Sequence, residues 1–271
     1  MPSATPTPNA GERRVSHSDP RAAITADHVI LWRHGRTGWN MQRRFQGQSD
    51  PPLDAVGLAQ ARAAAHHLAA VRPRAIVSSD LARAAQTAEA LAALVGLPVR
   101  CDRRLRERSV GRWEGLTRDE VRQRYPREYA EWIAGDAGRR GGGELRSEVA
   151  ERAAAGLAEL TARMDLAAGV APDGPVVLVT HSATGLALIG YLLGLPEPHW
   201  RTIAPLANCH WSELRHDDGG WRLRSHNVGA VTPPAPPVPA DVAEAEEAPE
   251  PADAEALDGP STVGPAATAT P

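Results

Sequence analysis

The sequence predicts an α/β protein, a three-layer α/β/α sandwich built on a mainly parallel sheet. Short, wholly apolar runs alternate with longer segments of helical periodicity, and strands that are apolar throughout are those of a sheet covered on both faces. The last two strand-like runs are separated by only Asp217-Asp-Gly-Gly220 and read as an antiparallel hairpin.

Along the chain, His28-Val-Ile-Leu-Trp32 is the first buried strand. Asp54 can cap a helix to about Ala70, because its carboxylate accepts from an unpaired N–H of the first turn. Ala75-Ile-Val-Ser78 is the second strand. A helix then runs from about Leu81 to Val95 and is stopped by Gly96 and Pro98. Pro98 to Cys101 is a short third strand. Thr117 with Glu120 three residues on makes a capping-box pattern, and Pro126 ends that helix and begins a short one. A long helix is predicted from Glu144 to about Ala168, Pro175-Val-Val-Leu-Val-Thr180 is the clearest buried strand, and Thr184 to Leu193 is the next helix. His210–His216 and Trp221–His226 form the hairpin.

Composition narrows the function. At 271 residues and 42% apolar, the chain suits one large soluble domain. No stretch approaches the ~20 apolar residues of a membrane span. The N-terminus lacks a charged start followed by an apolar block, which points to the cytoplasm. Residues 1–26 and 230–271 are expected to be disordered tails, since their Pro-, Ala- and acid-rich sequences bury too little apolar surface to offset chain entropy. The folded domain is expected at 27–229. Net charge is −3, but residues 231–271 carry eight acids and no base, which leaves the first 230 residues at +5. A mildly positive body suits a small anionic substrate better than a nucleic acid. Two distant cysteines argue against a disulfide framework or cysteine-rich zinc site. All 30 basic residues are arginine, a mark of GC-rich coding of the actinobacterial kind. Any phosphate must therefore be held by arginine, histidine or backbone N–H.

In an open parallel sheet, ligands bind beyond the carboxyl ends of the strands. That rule selects Arg33-His34-Gly35 after the first strand, Ser79, Asp80 and Arg83 after the second, Arg106-Glu107 past the third, and His181-Ser182 after the late strand. Paired arginines suit a dianionic group. Histidine can act as a covalent nucleophile, and a carboxyl group can protonate a leaving oxygen and then activate water. No DxDG cluster, HExxH helix or Walker loop is present, so no metal or other cofactor is expected.

Several ordered segments carry a specific resemblance. Arg33-His34-Gly35-Arg36-Thr37-Gly38-Trp39-Asn40, Phe45-Gln46-Gly47-Gln48-Ser49-Asp50-Pro51-Pro52-Leu53, Ser78-Ser79-Asp80-Leu81-Ala82-Arg83-Ala84 with Gln86-Thr87, Leu105-Arg106-Glu107 with Gly111, Trp113, Glu114 and Gly115, Gly142-Gly143-Glu144, and Val179-Thr180-His181 resemble motifs of the histidine phosphatase (phosphoglycerate mutase-like) superfamily. They span about residues 28–226. The resemblance implies a phosphoglycerate mutase-like fold and a metal-independent phosphoryl transfer. His34 is the implied phosphate acceptor. Arg33 and Arg83 hold phosphoryl oxygens, and His181 stabilises charge in the transition state. Glu107 is the implied acid and base. Asn40, Gln46 and Gly47 lie at the substrate rim, and the Ser182 N–H adds a donor. The family often has Gly-Gly after the second histidine, where this chain has Ser182-Ala183. That departure bears on substrate preference.

The spacing between Glu107 and Glu144 is short for a glycolytic mutase, which carries a long insertion there. A phosphomonoester hydrolase acting on a small phosphorylated metabolite is therefore favoured over a mutase or a non-catalytic phospho-ligand binding module. Stretches including Ile76–Asp80, Leu105–Thr117 and Pro175–His181 resemble the actinobacterial glucosyl-3-phosphoglycerate phosphatases. A homodimer is carried as the candidate assembly, with neither nucleic acid nor membrane as partner. His17, His66, His67, His199 and His216 read as surface or satisfied residues. Arg103, Arg104, Arg106 and Arg108 read as surface, one of them a candidate for a substrate carboxylate, as are Arg139 and Arg140. Gly141–Gly143 reads as a flexible turn.

Overall fold

The computed structural model describes residues 20–135, 138–168 and 173–230. Six strands form a single sheet: β1 (His28–Arg33), β2 (Ala75–Ser78), β3 (Val99–Cys101), β4 (Val176–Thr180), β5 (Trp211–Asp217) and β6 (Gly220–Val228), in the spatial order β3-β2-β4-β1-β5-β6. The first four are mutually parallel, and the β5–β6 hairpin adds two antiparallel strands beside β1. The mainly parallel sheet and closing hairpin are as the sequence predicts.

Both faces of the sheet are covered, and the alternation of side chains along β1 shows how. Val29 and Leu31 face α6 (Arg146–Ala168) and α7 (Ser182–Leu192) through Leu157, Leu188 and Ile189. Ile30 and Trp32 face α2 (Ala55–Ala70) and α3 (Ala82–Val95) through Leu68, Ala84 and Leu91. Successive strand residues point to opposite faces, so a strand covered on both sides must be apolar at every position. A single turn, α1 (Gly38–Met41), precedes α2. Two shorter helices, α4 (Arg118–Arg124) and α5 (Pro126–Ile133), pack outside the sandwich around Trp113, Val121 and Phe45.

The predicted caps form. The Asp54 carboxylate accepts from Gly57 N, and Thr117 and Glu120 make a reciprocal capping box. Gly96 ends α3 at φ +70°, a left-handed position where glycine avoids the Cβ penalty. Two helix starts move by two residues. The long helix starts at Arg146 rather than Glu144, because the Glu144 carboxylate accepts from Ser109 N and Arg152. The late helix starts at Ser182, directly after His181. The expected tails at 1–19 and 231–271 lie outside the described residues. Residues 20–26 do not behave as tail. Pro20–Ala23 form a 3-10 turn, Ile24 packs on the α6–α7 side of the core, and Ala26 is buried. Among the described residues, no helix is long and apolar enough to cross a membrane.

Candidate active site

Sheet register brings the two predicted histidines together. β1 and β4 are parallel neighbours with Arg33 opposite Thr180, and the ladder continues one step as His34 N donates to Thr180 O at 3.0 Å. The next residue of each strand, His34 and His181, therefore leaves the sheet at the same level. Their ring centroids are 5.1 Å apart. Arg83, in the first turn of α3 after β2, completes the group from the other side of β4.

Hydrogen bonding fixes the tautomer of each ring. His34 is 2% exposed, and its Nδ1 lies 2.7 Å from Gly35 O. A carbonyl oxygen only accepts, so Nδ1 carries the proton and Nε2 presents its lone pair. At His181, Nδ1 accepts from Arg83 Nε at 3.2 Å. Arginine only donates, so the neutral ring carries its proton on Nε2. Burial, reinforced by the charges of Arg83 and Arg33, holds both imidazoles well below their usual range. Both are thus neutral near pH 7, one a free nucleophile and the other an N–H donor.

The arginines are fixed by carbonyls. Arg83 is fully buried and donates to Ser49 O at 2.7 Å and Gly47 O at 2.8 Å. Burial pushes its pKa down to about 10, which leaves it charged at neutral pH. Arg33 Nη1 donates to Leu206 O at 2.6 Å.

Glu107 is held by the start of α7. Its carboxylate accepts from Arg108 N at 2.7 Å, Thr184 N at 3.1 Å, Ala183 N at 3.2 Å and Thr184 Oγ1 at 3.1 Å. The first turn of a helix leaves N–H groups without intrahelical partners, and here two of them grip a catalytic-type carboxylate. Arg106 is paired with Asp80 at 2.6 Å.

Of the predicted site residues, His34, Gln46, Gly47, Arg83, Glu107 and Ser182 line one pocket. Arg33 and His181 are buried and are not among the residues that line it. Asn40 does not line it. Its Oδ1 accepts from Thr37 N at 2.9 Å and closes the capping box of α1, so it braces the loop that follows His34.

The structure adds Thr184 to the site and decides among the arginines named as carboxylate candidates. Thr184, four positions past a strand end, has no motif of its own, yet it bonds Glu107. Arg108 is 3% exposed rather than a surface residue. It donates to Glu144 O at 2.8 Å and Gly138 O at 3.0 Å and lines the pocket. Arg140 is 9% exposed, lies over the Trp132 ring at 5.0 Å, and lines the same pocket. Arg139 is exposed and pairs with Glu148. The glycine run is no flexible turn. Gly141 sits at φ +58°, and a Cβ there would lie 2.2 Å from Val110 O, so the turn is pressed onto residues 110–113 and fixes Arg140. Gly57 is a second close approach, since a Cβ on it would lie 2.0 Å from Arg36 O, against the loop after His34.

Comparison with known proteins agrees with this geometry. A family model described as histidine phosphatase superfamily (branch 1) matches residues 29–229. The chain is 40% identical over 199 residues to a glucosyl-3-phosphoglycerate phosphatase of Mycobacterium tuberculosis, covering 73% of this chain and 88% of the relative. It is 39% identical over 204 residues to a protein of Yersinia enterocolitica named as a probable phosphoglycerate mutase, covering 71% and 86%. Among solved structures, mycobacterial glucosyl-3-phosphoglycerate phosphatase in complex with VO3 aligns with a TM-score of 0.69 at 39% identity, covering 75% of this chain and all of that one.

Proposed function

The chain belongs to the histidine phosphatase superfamily, a metal-independent phosphatase acting on a small phosphorylated metabolite, and from that premise we propose that it hydrolyses glucosyl-3-phosphoglycerate through a phosphohistidine at His34. The observation that carries the mechanism is the opposed tautomers of the two buried histidines.

In the first step His34 Nε2 attacks phosphorus. Arg33, Arg83 and the His181 Nε2–H take the charge on the phosphoryl oxygens, a task that fixed guanidinium groups perform without reorganising during the reaction. The bond to the leaving oxygen breaks, and a proton on Glu107 goes to that oxygen. In the second step the Glu107 carboxylate takes a proton from water, the water oxygen bonds to phosphorus, and the N–P bond breaks to release inorganic phosphate. Gln46 and Gly47 shape the rim. Asn40 acts by bracing the loop.

The substrate reading is supported by the relatives named for that activity and by the wall of the pocket. Arg108 and Arg140 suit the carboxylate of a glycerate leaving group, which a guanidinium binds through charge-assisted hydrogen bonds. All these groups come from one chain, so a homodimer, the candidate assembly, is not required for the chemistry. The expected compartment is the cytoplasm.

The test is turnover of a phosphomonoester panel: glucosyl-3-phosphoglycerate, 3-phosphoglycerate, sugar phosphates and p-nitrophenyl phosphate. Glucosyl-3-phosphoglycerate should give the highest kcat/KM, and a higher value for 3-phosphoglycerate or sugar phosphates refutes the substrate. Conversion of 3-phosphoglycerate to its 2-isomer faster than phosphate release would establish the mutase. Acid-labile, base-stable phosphate on His34 should be trapped in quenched enzyme and absent from His34→Ala.

A further inference from the structure

Two consecutive residues end in buried polar atoms that have no hydrogen-bond partner among the described protein atoms: His181 Nε2 and Ser182 Oγ. A buried, unpaired polar atom is destabilising, and such atoms in a folded protein call for a specific explanation. His181 Nε2 has one in the proposed reaction. Ser182 Oγ has none in the fold. It does not cap α7, whose N-cap position is His181. It does not hold Glu107, which takes the N–H groups of Ala183 and Thr184 and the Thr184 hydroxyl. Ser182 is 7% exposed and is among the residues that line the pocket with His34 and Arg83.

We infer that the Ser182 hydroxyl is a direct ligand of the transferred phosphoryl group, donating its proton to a phosphoryl oxygen beside the one held by His181 Nε2. The chemistry fits the position. A tetrahedral oxyanion presents several acceptor oxygens within a few ångströms, so one bound group satisfies two neighbouring donors at once. The start of the eleven-residue helix α7 also favours negative charge at that point. The hydroxyl is the one donor in the set that rotates freely, so it can follow the phosphoryl oxygens as phosphorus moves from the leaving oxygen to His34. This inference rests on the reading of His34 as phosphate acceptor, but it makes a claim about binding that does not need turnover.

The test is Ser182→Ala, with Ser182→Thr as the variant that keeps a hydroxyl. Three readouts are taken on the full chain: the dissociation constant of inorganic phosphate, kcat/KM for p-nitrophenyl phosphate, and the melting temperature without ligand. Ser182→Ala should weaken phosphate binding and lower kcat/KM by about tenfold or more, the loss of one hydrogen bond to a charged group. It should leave the ligand-free melting temperature unchanged or higher, because it removes an unsatisfied buried atom. Ser182→Thr should recover phosphate affinity. Phosphate affinity equal to wild type in Ser182→Ala overturns the inference, as does a ligand-free melting temperature several degrees lower, which would make the hydroxyl a structural group. If wild type binds phosphate but turns over no phosphomonoester, the enzymatic reading fails, and the binding arm still decides the role of Ser182.

Discussion

His34 and His181 face one another with ring centroids 5.1 Å apart at an interplanar angle of 58°, each buried and each neutral for the same reason. Burial is the main cause of the lowered pKa at both rings, and the charges of Arg83 and Arg33 act in the same direction. In the unfolded chain both titrate near 6.5. Below that pH the unfolded state binds protons that the native state refuses, so the stability these groups lend is present above about 6.5 and is lost as pH falls. Each adds a slope of up to about 1.4 kcal/mol per pH unit below that point. Urea unfolding at pH 7.5, 6.5 and 5.5 should show this fall, and His181→Gln should make it shallower. An unchanged slope in the variant would mean that the imidazole titrates as an exposed one does.

Thr184 bonds Glu107 and is not among the residues that line the pocket. Its hydroxyl lies 3.1 Å from Glu107 Oε1 and 2.8 Å from Arg106 O. Thr184→Val keeps the shape and removes the bond. It should lower kcat by about tenfold for alkyl phosphates, whose leaving oxygen needs a proton, and by much less for p-nitrophenyl phosphate. Thr184→Ser should restore the alkyl rate. Equal losses on both substrates would indicate a packing effect.

Arg140 offers a test of the proposed recognition of the leaving-group carboxylate. The ratio of kcat/KM for 3-phosphoglycerate to that for glycerol 3-phosphate, which lacks the carboxylate, should fall by about tenfold or more in Arg140→Met, chiefly through KM. A ratio that does not move would take Arg140 out of carboxylate recognition and leave it as the partner of Trp132.

Gly57 abuts the loop that follows His34. With a Cβ 2.0 Å from Arg36 O and 2.7 Å from Arg36 N, Gly57→Ala forces the α2 start and the loop after His34 apart. Although alanine favours helix, the variant should be less stable, by about 1–3 kcal/mol as overpacking costs, and should have a reduced kcat. Thermal unfolding and p-nitrophenyl phosphate turnover check both. A gain in stability would show that the contact is not tight.

Particular residues show what was legible. The sheet could be read because β1 and β4 are apolar at every position, and the site could be placed because chemistry-bearing residues follow strand ends. Arg108 reads as surface because the neighbouring run of arginines looks solvated, and only the fold brings the carbonyls of Gly138 and Glu144 to it. The glycine run was read as loose because glycine permits mobility in sequence, whereas the Val110 carbonyl that pins Gly141 belongs to another loop.

By itself the sequence determined the architecture and placed His34 and its charged neighbours after the strand ends, since these depend on local periodicity and on residue type after each strand. Only the tertiary structure decided which nitrogen of each histidine is free, which arginines reach the pocket, and that the turn after His181 grips Glu107 while Ser182 faces the pocket. These depend on hydrogen bonds and burial between segments far apart in the chain, for which no single stretch of residues carries a signal.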